Sequence, residues 1–423
     1  MKEIWRNRYS EMAERPEIGG FQVLTAFNTN IDRRINLEEL DWELEDAEKL
    51  EEVKSIEEVK KTLKYAVENG KNMEVDASGL KTGIDGGKAA VGGQAGIMAN
   101  FLSGLNGSVT LYTPLLSQKM ADMIDDRVLH PYFESEFTLK NVRDSANTDR
   151  TKENIIIEFS RPQTGRLILS DKLRGFGPYF RSGIEDNLDK IDENIQGALL
   201  SGFQNVKGNR EVKIEKAKRQ ISRFDSRKHL ELVGADRKLF HLIGREILPE
   251  VESVGMDETE ALKLAEMSDE SYGEPLHIGE AYNLMKELLE EAELERCHLH
   301  TYRYHLIVAE ESYPVELEVL RDGMVFGEVA ALLRADTGEI PSIEEFEGLD
   351  FEDKHVKNLD ELEDFQEFFD LDNFVEEGKA LVEDYKVCAV PTVIHEDPEV
   401  LVGMGDLISS GAFAYELSRG SGQ

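Results

Sequence analysis

The chain of 423 residues is long enough for one large domain or for a large domain with a smaller one. Hydrophobic residues make up 40% of it, so a substantial core can form, yet no stretch approaches the roughly 18 consecutive apolar residues that span a bilayer. The N-terminal segment is charged and lacks an apolar signal region, and two cysteines suit a reducing compartment. We therefore expect a cytoplasmic protein without a membrane partner.

The net charge is the most unusual feature of the composition. There are 49 basic and 86 acidic residues, a formal charge of −37, which argues against nucleic acid as a partner. The acids are spread along the chain, so an acidic tail does not explain them. An ordinary acidic enzyme and a protein adapted to concentrated salt both fit, and we favour salt adaptation because a Debye length of roughly 3 Å at 1 M screens the repulsion.

Hydrophobic periodicity predicts the elements of the first half of the chain. Residues 18–26 predict a buried strand, and the polar loop FNTNID follows them. Residues 37–68 are acidic with apolar residues every three or four positions, which predicts helix. A glycine-rich stretch then leads into GGQAGIMANFLSGL, a predicted helix that begins on glycines. Further strands are predicted at 108–112, 154–159 and 166–169.

The second half of the chain alternates between strand-like and helix-like segments. Strands are predicted at 239–243, 298–302 and 304–309, and helices at 258–267, 279–291 and 327–335. This alternation predicts an α/β fold with a doubly wound, mainly parallel sheet and helices on both faces. The early strands predict a smaller, β-rich lid domain from residues 33–90 and 131–185, beside a large domain from 1–32 and 186–423 with part of 90–130.

A glycine turn near the C-terminus carries a candidate catalytic carboxylate. Residues 400–402 predict a short strand, Gly403-Met404-Gly405 a tight turn, and Asp406 the mouth of a helix. Free N–H groups at a helix start bind anions, and a nearby carboxylate can take a proton from a hydroxyl that attacks phosphorus. On these residues alone, an aspartate that merely caps the helix is the alternative.

The ordered motifs make the interpretation specific. FNTNID, GGQAGIMAN, LLSGFQ, SVGMDETE, HLHTY and VPTVIHEDPEVLVGMGDLISSGAF together resemble the archaeal ADP-dependent glucokinase/phosphofructokinase family of the ribokinase-like superfamily. They run from residue 27 to residue 413, nearly the whole chain. The resemblance implies a nucleotide-binding α/β domain, a β-rich lid that closes over the sugar, ADP as phosphoryl donor and AMP as product.

The resemblance also implies roles for individual residues. Asp406 matches the catalytic base, and Gly403 and Gly405 would form the anion hole. The implied sugar-binding residues are Asn30, Asp32, Glu74, Gly92, Gly93, Gln94, Lys152 and Arg174. The implied nucleotide-binding residues are Arg174, His300, His395 and Gly405.

A magnesium site is implied by the carboxylates at Asp257, Glu260 and Glu295. The segment DETE stands where the family usually has Asn-x-x-Glu, a departure that adds charge. Glu260 would hold Mg²⁺ through water, since this ion keeps much of its hydration. Glu295 resembles a second metal-associated carboxylate. Acids in the first turn of a helix are the plainer interpretation of DETE.

Two positions bear on the sugar. Glu74 lies in a segment that carries Glu in family members accepting glucose and a small residue in strict phosphofructokinases. Lys152 and Arg174 would supply cations for a sugar phosphate, although Arg174 could instead contact the β-phosphate of ADP. Because both signals are present, the sequence predicts a bifunctional enzyme.

We therefore expect a kinase that transfers the β-phosphate of ADP to fructose 6-phosphate and to glucose. Its products would be fructose 1,6-bisphosphate or glucose 6-phosphate, with AMP. An ATP-dependent ribokinase-type kinase for another small alcohol, or a non-catalytic sugar or nucleotide sensor on the same fold, are the alternatives. A monomer and a small homo-oligomer both fit the sequence.

Overall fold

The computed structural model describes residues 1–80, 83–160, 165–173, 175–268, 272–351, 354–395, 398–400 and 402–420. Its strands are β1 (Gln22–Ala26), β2 (Asn30–Asn36), β3 (Met73–Asp76), β4 (Lys88–Gly92), β5 (Ser108–Tyr112), β6 (Leu129–Phe133), β7 (Phe137–Asn141), β8 (Glu153–Phe159), β9 (Gly165–Ser170), β10 (Gly197–Leu200), β11 (Arg227–Glu231), β12 (Ser253–Asp257), β13 (Arg296–His300), β14 (Tyr304–Glu310), β15 (Lys354–Val356), β16 (Lys379–Val382), β17 (Tyr385–Pro391) and β18 (Val393–His395). Its α-helices are α1 (Lys2–Glu14), α2 (Ile56–Asn69), α3 (Gln94–Gly104), α4 (Gln118–Ala121), α5 (Leu188–Asp192), α6 (Arg210–Ile221), α7 (Arg237–Glu246), α8 (Glu258–Ala265), α9 (Ile278–Ala292), α10 (Leu317–Thr337), α11 (Leu359–Phe368), α12 (Phe374–Glu377) and α13 (Met404–Gly420).

A large sheet organises most of the chain. It has 11 strands in the order β16-β17-β14-β13-β12-β11-β10-β1-β5-β6-β7. Neighbouring strands from β13 to β6 run parallel, and the pairings at both edges are antiparallel. Helices α3, α10 and α13 pack together, α13 contacts β11 and β13, and α9 contacts β13 and β14. A mostly parallel sheet flanked by helices confirms the predicted α/β fold.

The parallel strands determine where functional residues can meet. The carboxyl ends of parallel strands lie at one edge of the sheet, where ligands bind in open α/β folds. Glu231 ends β11, Asp257 ends β12 and His300 ends β13, and Asp257 is paired with His300. Residues 27–29 follow β1 at the same edge. This edge is where the candidate site forms.

A smaller five-stranded sheet, in the order β3-β9-β8-β2-β4, has a hydrophobic core of its own with α2. The chain passes from the large sheet to the small one between Ala26 and Asn30, so the loop FNTNID begins the crossing. The boundaries of the predicted lid stay a prediction. Strands β6 and β7 join the large sheet, although residues 131–185 were assigned to the lid.

Three local predictions were wrong. Residues 40–55 are not helical, because Leu40, Trp42 and Leu44 recur at every second position and pack against the core of the small sheet. Residues 239–243 lie in α7, whose start is capped by Asp236 accepting from the backbone N–H of Leu239. The predicted strand at 400–402 is absent at the two described positions, Val400 and Val402.

Among the described residues, no helix is both long enough and apolar enough to cross a membrane.

Candidate active site

The glycine turn leads directly into α13. Gly403 has φ +78°, in the left-handed region that favours glycine, and a Cβ there would lie 2.9 Å from Cδ1 of Ile97. A Cβ on Gly405 would lie 2.8 Å from Cε1 of His300. The N–H of Leu407 makes the first helical hydrogen bond, to the carbonyl of Gly403 at 3.3 Å. The N–H groups before Leu407 therefore lack acceptors within the helix and can receive an anion.

Asp406 lies in this first turn, among charged groups from four other elements. Burial raises the pKa of Asp406 to about 7, and the charges of Glu231 and Asp32 raise it too, while Arg334 and His300 lower it. A general base works best when its pKa lies near the operating pH, because it is then both ionised and able to take a proton. Asp406 has the environment of a base.

The sugar loop is held rigidly on β2. Asp32 Oδ1 accepts hydrogen bonds from Nδ2 of Asn30 (2.6 Å) and from Nδ2 of Asn154 (3.1 Å). A Cβ on Gly92 would lie 2.2 Å from Oδ2 of Asp32, and one on Gly93 would lie 2.8 Å from Oδ1 of Asn30. The lack of a side chain at both glycines therefore leaves room for Asp32 and Asn30, and the approach of a sugar to this backbone stays a prediction. Burial raises the pKa of Asp32 to about 6.

Lys152 is buried against the same loop. It is 2% exposed, and its Nζ donates to Oδ1 of Asn28 (2.8 Å) and to Oδ1 of Asn205 (3.1 Å). Nδ2 of Asn28 in turn donates to Oε1 of Gln94 at 2.8 Å, at the start of α3. Burial lowers the pKa of Lys152 to about 8, and the carboxylate of Glu74 acts in the opposite direction. The structure thus brings these predicted sugar-binding residues together.

Two lysines that sequence reasoning missed lie close to Glu74. Lys172 pairs with Glu74 (3.5 Å), and Lys207 forms an ion pair with Asp76 on the same strand, β3. Their signal in the sequence was weak. Lys172 stands two residues before Arg174, which lies outside the described residues, and Lys207 follows the LLSGFQ motif by a few positions.

Asp257 and Glu260 cap the start of α8. Asp257 Oδ1 accepts from the N–H of Glu260 (2.9 Å), and Glu260 accepts from the N–H groups of Asp257 (2.9 Å) and Gly234 (2.8 Å). Burial and the neighbouring Asp257 raise the pKa of Glu260 well above its usual range. A buried and a half-buried carboxyl group that repel each other fit a divalent cation. Because no three His, Cys, Asp or Glu side chains in the described part of the chain could hold a metal, water and phosphate oxygens would complete its coordination.

Glu231 is a buried carboxylate that the sequence analysis overlooked. Its Oε1 lies 2.9 Å from Nε2 of His300, and its Oε2 accepts from Oγ of Ser409 at 2.5 Å. Burial opposes ionisation, but the hydrogen bonds from His229 and His300 outweigh it and lower the pKa of Glu231 to about 2. Glu231 therefore holds His300 against Gly405. A charged residue between Leu230 and Leu232 in a buried strand was the available signal.

Glu295 lies far from this group. It precedes β13, whose opposite end is His300, and β13 runs parallel to β12 with His300 beside Asp257. Five residues of strand at about 3.3 Å each separate Glu295 from this edge of the sheet by roughly 16 Å. The expectation that Glu295 shares a metal with Glu260 is corrected by this geometry.

His395 lies on β18, and its Nε2 contacts a carboxylate oxygen of Asp336 near the end of α10. Of the predicted nucleotide-binding histidines, His300 is the one packed against Gly405 of the glycine turn.

Comparison with known proteins identifies the family. The conserved region of the ADP-specific phosphofructokinase/glucokinase family matches residues 21–415. The chain belongs to this family. The predicted family and the predicted class, an ADP-dependent sugar kinase, are thereby confirmed.

Both kinds of family member are among its relatives. An ADP-specific phosphofructokinase of Pyrococcus abyssi is 30% identical over 76% of this chain and 77% of its own length. An ADP-dependent glucose/glucosamine kinase of Pyrococcus furiosus is 27% identical over 98% of this chain and 99% of its own length. A solved ADP-dependent kinase in complex with fructose 6-phosphate and ADPβS aligns with a TM-score of 0.85 and 26% identity, covering 100% of this chain and 99% of the other.

Proposed function

We propose that this member of the family transfers the β-phosphoryl group of ADP to fructose 6-phosphate and also to glucose. One observation carries the proposal. The carboxylate of Asp406, the free amides at the start of α13 and the rigid acceptor Asp32 converge at one edge of the sheet, where the small sheet adjoins it. A proton acceptor, an anion hole and a hydroxyl-binding group are what phosphoryl transfer to a sugar needs.

The reaction then follows from these positions. Asp406 accepts the proton of the sugar hydroxyl as its oxygen attacks the β-phosphorus, and the bond from that phosphorus to the bridging oxygen breaks, releasing AMP. The amides that precede Leu407 stabilise the charge on the transferred group. Asp32 and Asn30 orient the sugar, and closure of the small sheet over it would exclude water that otherwise hydrolyses ADP.

Mg²⁺ fits the carboxyl groups of Asp257 and Glu260, which would hold it through water. When bound, this ion neutralises charge on the phosphates of ADP. The raised pKa of Glu260 supports the assignment, since a cation beside this carboxyl group would relieve the repulsion from Asp257.

The proposal of two sugars depends on Glu74 and on three lysines. Lys152, Lys172 and Lys207 supply positive charge near the sugar loop, as a sugar phosphate requires in so acidic a protein. Glu74 faces the same region and could accept a hydrogen bond from a hydroxyl of glucose. Arg174 is a further candidate for binding the sugar phosphate.

The cytoplasmic location of the protein stays a prediction.

The test is an assay of the purified protein with Mg²⁺, fructose 6-phosphate or glucose, and ADP or ATP, in which the phosphorylated sugar and the product nucleotide are both detected. We expect phosphorylated sugar and AMP with ADP and either sugar, and at least about a thousandfold lower turnover by Asp406→Asn. Turnover with ATP alone would contradict ADP dependence. Turnover on fructose 6-phosphate without turnover on glucose would refute the proposed use of glucose and the role given to Glu74.

A further inference from the structure

Arg334 is a buried cation that the sequence analysis did not select. It lies on α10 and is 6% exposed, and its Nε donates to the carbonyl of Val402 at 2.8 Å. A Cβ on Gly403 would lie 3.3 Å from Nη2 of Arg334 and 3.5 Å from Oδ2 of Asp406. The guanidinium and the carboxylate therefore flank the same glycine, at the residue where the turn is tightest.

Among the residues that the structure describes, this guanidinium has no ion-pair partner of its own. Within the described ranges, no carboxylate lies at ion-pair distance from Arg334, although Asp406, Asp32 and Glu339 are near enough to act on its charge. An enclosed and unpaired cation is destabilising, so its persistence needs a reason. The hydrogen bond to the turn and the opposite charges of Asp406 and Asp32 nearby supply one.

Arg334 also lines a cavity of about 500 Å³, together with Asp32, Val402, Arg34 and Arg143. Open space on one side of the guanidinium means that a small planar cation could occupy its place if the side chain were shortened.

We propose that Arg334 is a positioning residue of the kinase: its Nε–H fixes the carbonyl before the glycine turn, and its charge stabilises the carboxylate of Asp406. The inference rests on the proposed role of Asp406 as the base. Arginine suits both tasks, because its planar group donates a hydrogen bond from Nε while its charge is spread over Nη1 and Nη2.

The charged groups around Asp406 determine the sign of the effect. Glu231 on β11 and Asp32 on β2 oppose its ionisation, and His300 on β13 and Arg334 on α10 favour it. Without Arg334, His300 would be the one group of these four that still favours the ionised form of Asp406, whereas burial, Glu231 and Asp32 would still disfavour it. The pKa of Asp406 would then rise above about 7, and a larger fraction of the base would be protonated at neutral pH.

The experiment is a pH profile of kcat with ADP for Arg334→Gln, Arg334→Lys and the wild type. For Arg334→Gln we expect the acid limb to move up by about one pH unit, so that kcat falls about tenfold more at pH 6 than at pH 9. Arg334→Lys keeps the charge and loses the Nε–H, so it should show the wild-type limb with a lower plateau. Arg219→Gln, at an exposed arginine of α6 that does not line the cavity, should match the wild type throughout.

Chemical rescue provides an independent readout. Guanidinium chloride at millimolar concentration should restore turnover to Arg334→Ala, and the same concentration of sodium chloride should not. An unshifted limb in Arg334→Gln, a shifted limb in Arg334→Lys, or equal rescue by both salts would overturn the proposal. If a variant fails to fold, the remaining variants decide. An inactive wild type would instead refute the proposed function, so the two failures are distinguishable.

Discussion

At the scale of single residues, the site is built from carboxyl groups held where ionisation is unfavourable. Burial raises the pKa of Asp406 to about 7 and that of Asp32 to about 6, and it also raises the pKa of Glu260 well above its usual range. A folded-state pKa above the unfolded value means that the ionised group destabilises the folded protein at neutral and alkaline pH. Stability therefore does not explain why carboxyl groups occupy these positions, and their proposed roles in binding and catalysis do.

Asp406→Asn should separate the two roles. The variant should lose at least about a thousandfold in kcat while gaining about 2 kcal/mol of unfolding free energy at pH 8, because the neutral amide avoids burying a charge. This gain in unfolding free energy should vanish near pH 4, where the carboxyl group of the wild type is protonated in the folded state. Denaturant unfolding at pH 8 and pH 4 measures the difference between variant and wild type. Asp122→Asn, at an exposed position, is the control, and its unfolding free energy should equal that of the wild type at both pH values. A less stable Asp406→Asn at pH 8 would contradict this account.

Glu74→Gln tests sugar choice. The substitution removes the charge beside Lys152 and Lys172 but keeps the side-chain length. We expect kcat/KM for glucose to fall at least about tenfold, the typical effect of losing one charged hydrogen bond, and kcat/KM for fructose 6-phosphate to hold or rise. Glu68→Gln, an acid on the outer side of α2, is the matched control. An equal loss on both sugars would assign Glu74 a structural role only.

At the scale of elements, α13 is the helix on which the proposed catalysis depends. Its first turn carries Asp406, and its packing against α10, α3 and the sheet fixes the direction of its free N–H groups. Glu231 binds Ser409 on this helix and His300 on β13, so the helix start is tied to the sheet.

Gly405→Ala should disturb this junction. The added Cβ would lie 2.8 Å from Cε1 of His300, so the ring or the helix start must shift. We expect a loss of about 1–3 kcal/mol of stability and a fall in kcat larger than the change in KM for fructose 6-phosphate. Gly420→Ala on the same helix has open space around the added Cβ and should behave as the wild type. Steady-state kinetics with thermal unfolding checks both, and full activity in Gly405→Ala would refute the role of the close contact.

At the scale of the whole molecule, the charge of −37 remains the dominant property. Such self-repulsion destabilises the compact state unless ions screen it. We expect the unfolding free energy to rise steadily from low salt to molar KCl, as the Debye length falls from roughly 10 Å at 0.1 M to roughly 3 Å at 1 M. Sucrose at matched osmolality is the control, because it is excluded from the protein surface as salt can be but does not screen charge. Equal or greater stability without salt would show that the acidic surface has another cause.

Local patterns determined much of this protein. The composition, the helix at GGQAGIMANFLSGL, the order of the motifs and the glycine turn before Asp406 depend on neighbouring residues, so the sequence alone could reveal them. The family and fold followed from these features. The resemblance associated Glu295 with the metal, and the course of β13 corrects that assignment. Local reasoning turned residues 239–243 into a strand, because periodicity in a short apolar segment does not distinguish a strand from a buried helix.

Only the tertiary structure decided which distant residues complete the site. Glu231 meets His300 across 69 positions of sequence, and Arg334 meets Val402 across 68. Both contacts depend on strand order and helix packing, which no local pattern encodes. The sequence by itself thus determined the turn and the candidate base, Asp406, whereas the fold determined the charges that surround Asp406 and, through them, its pKa.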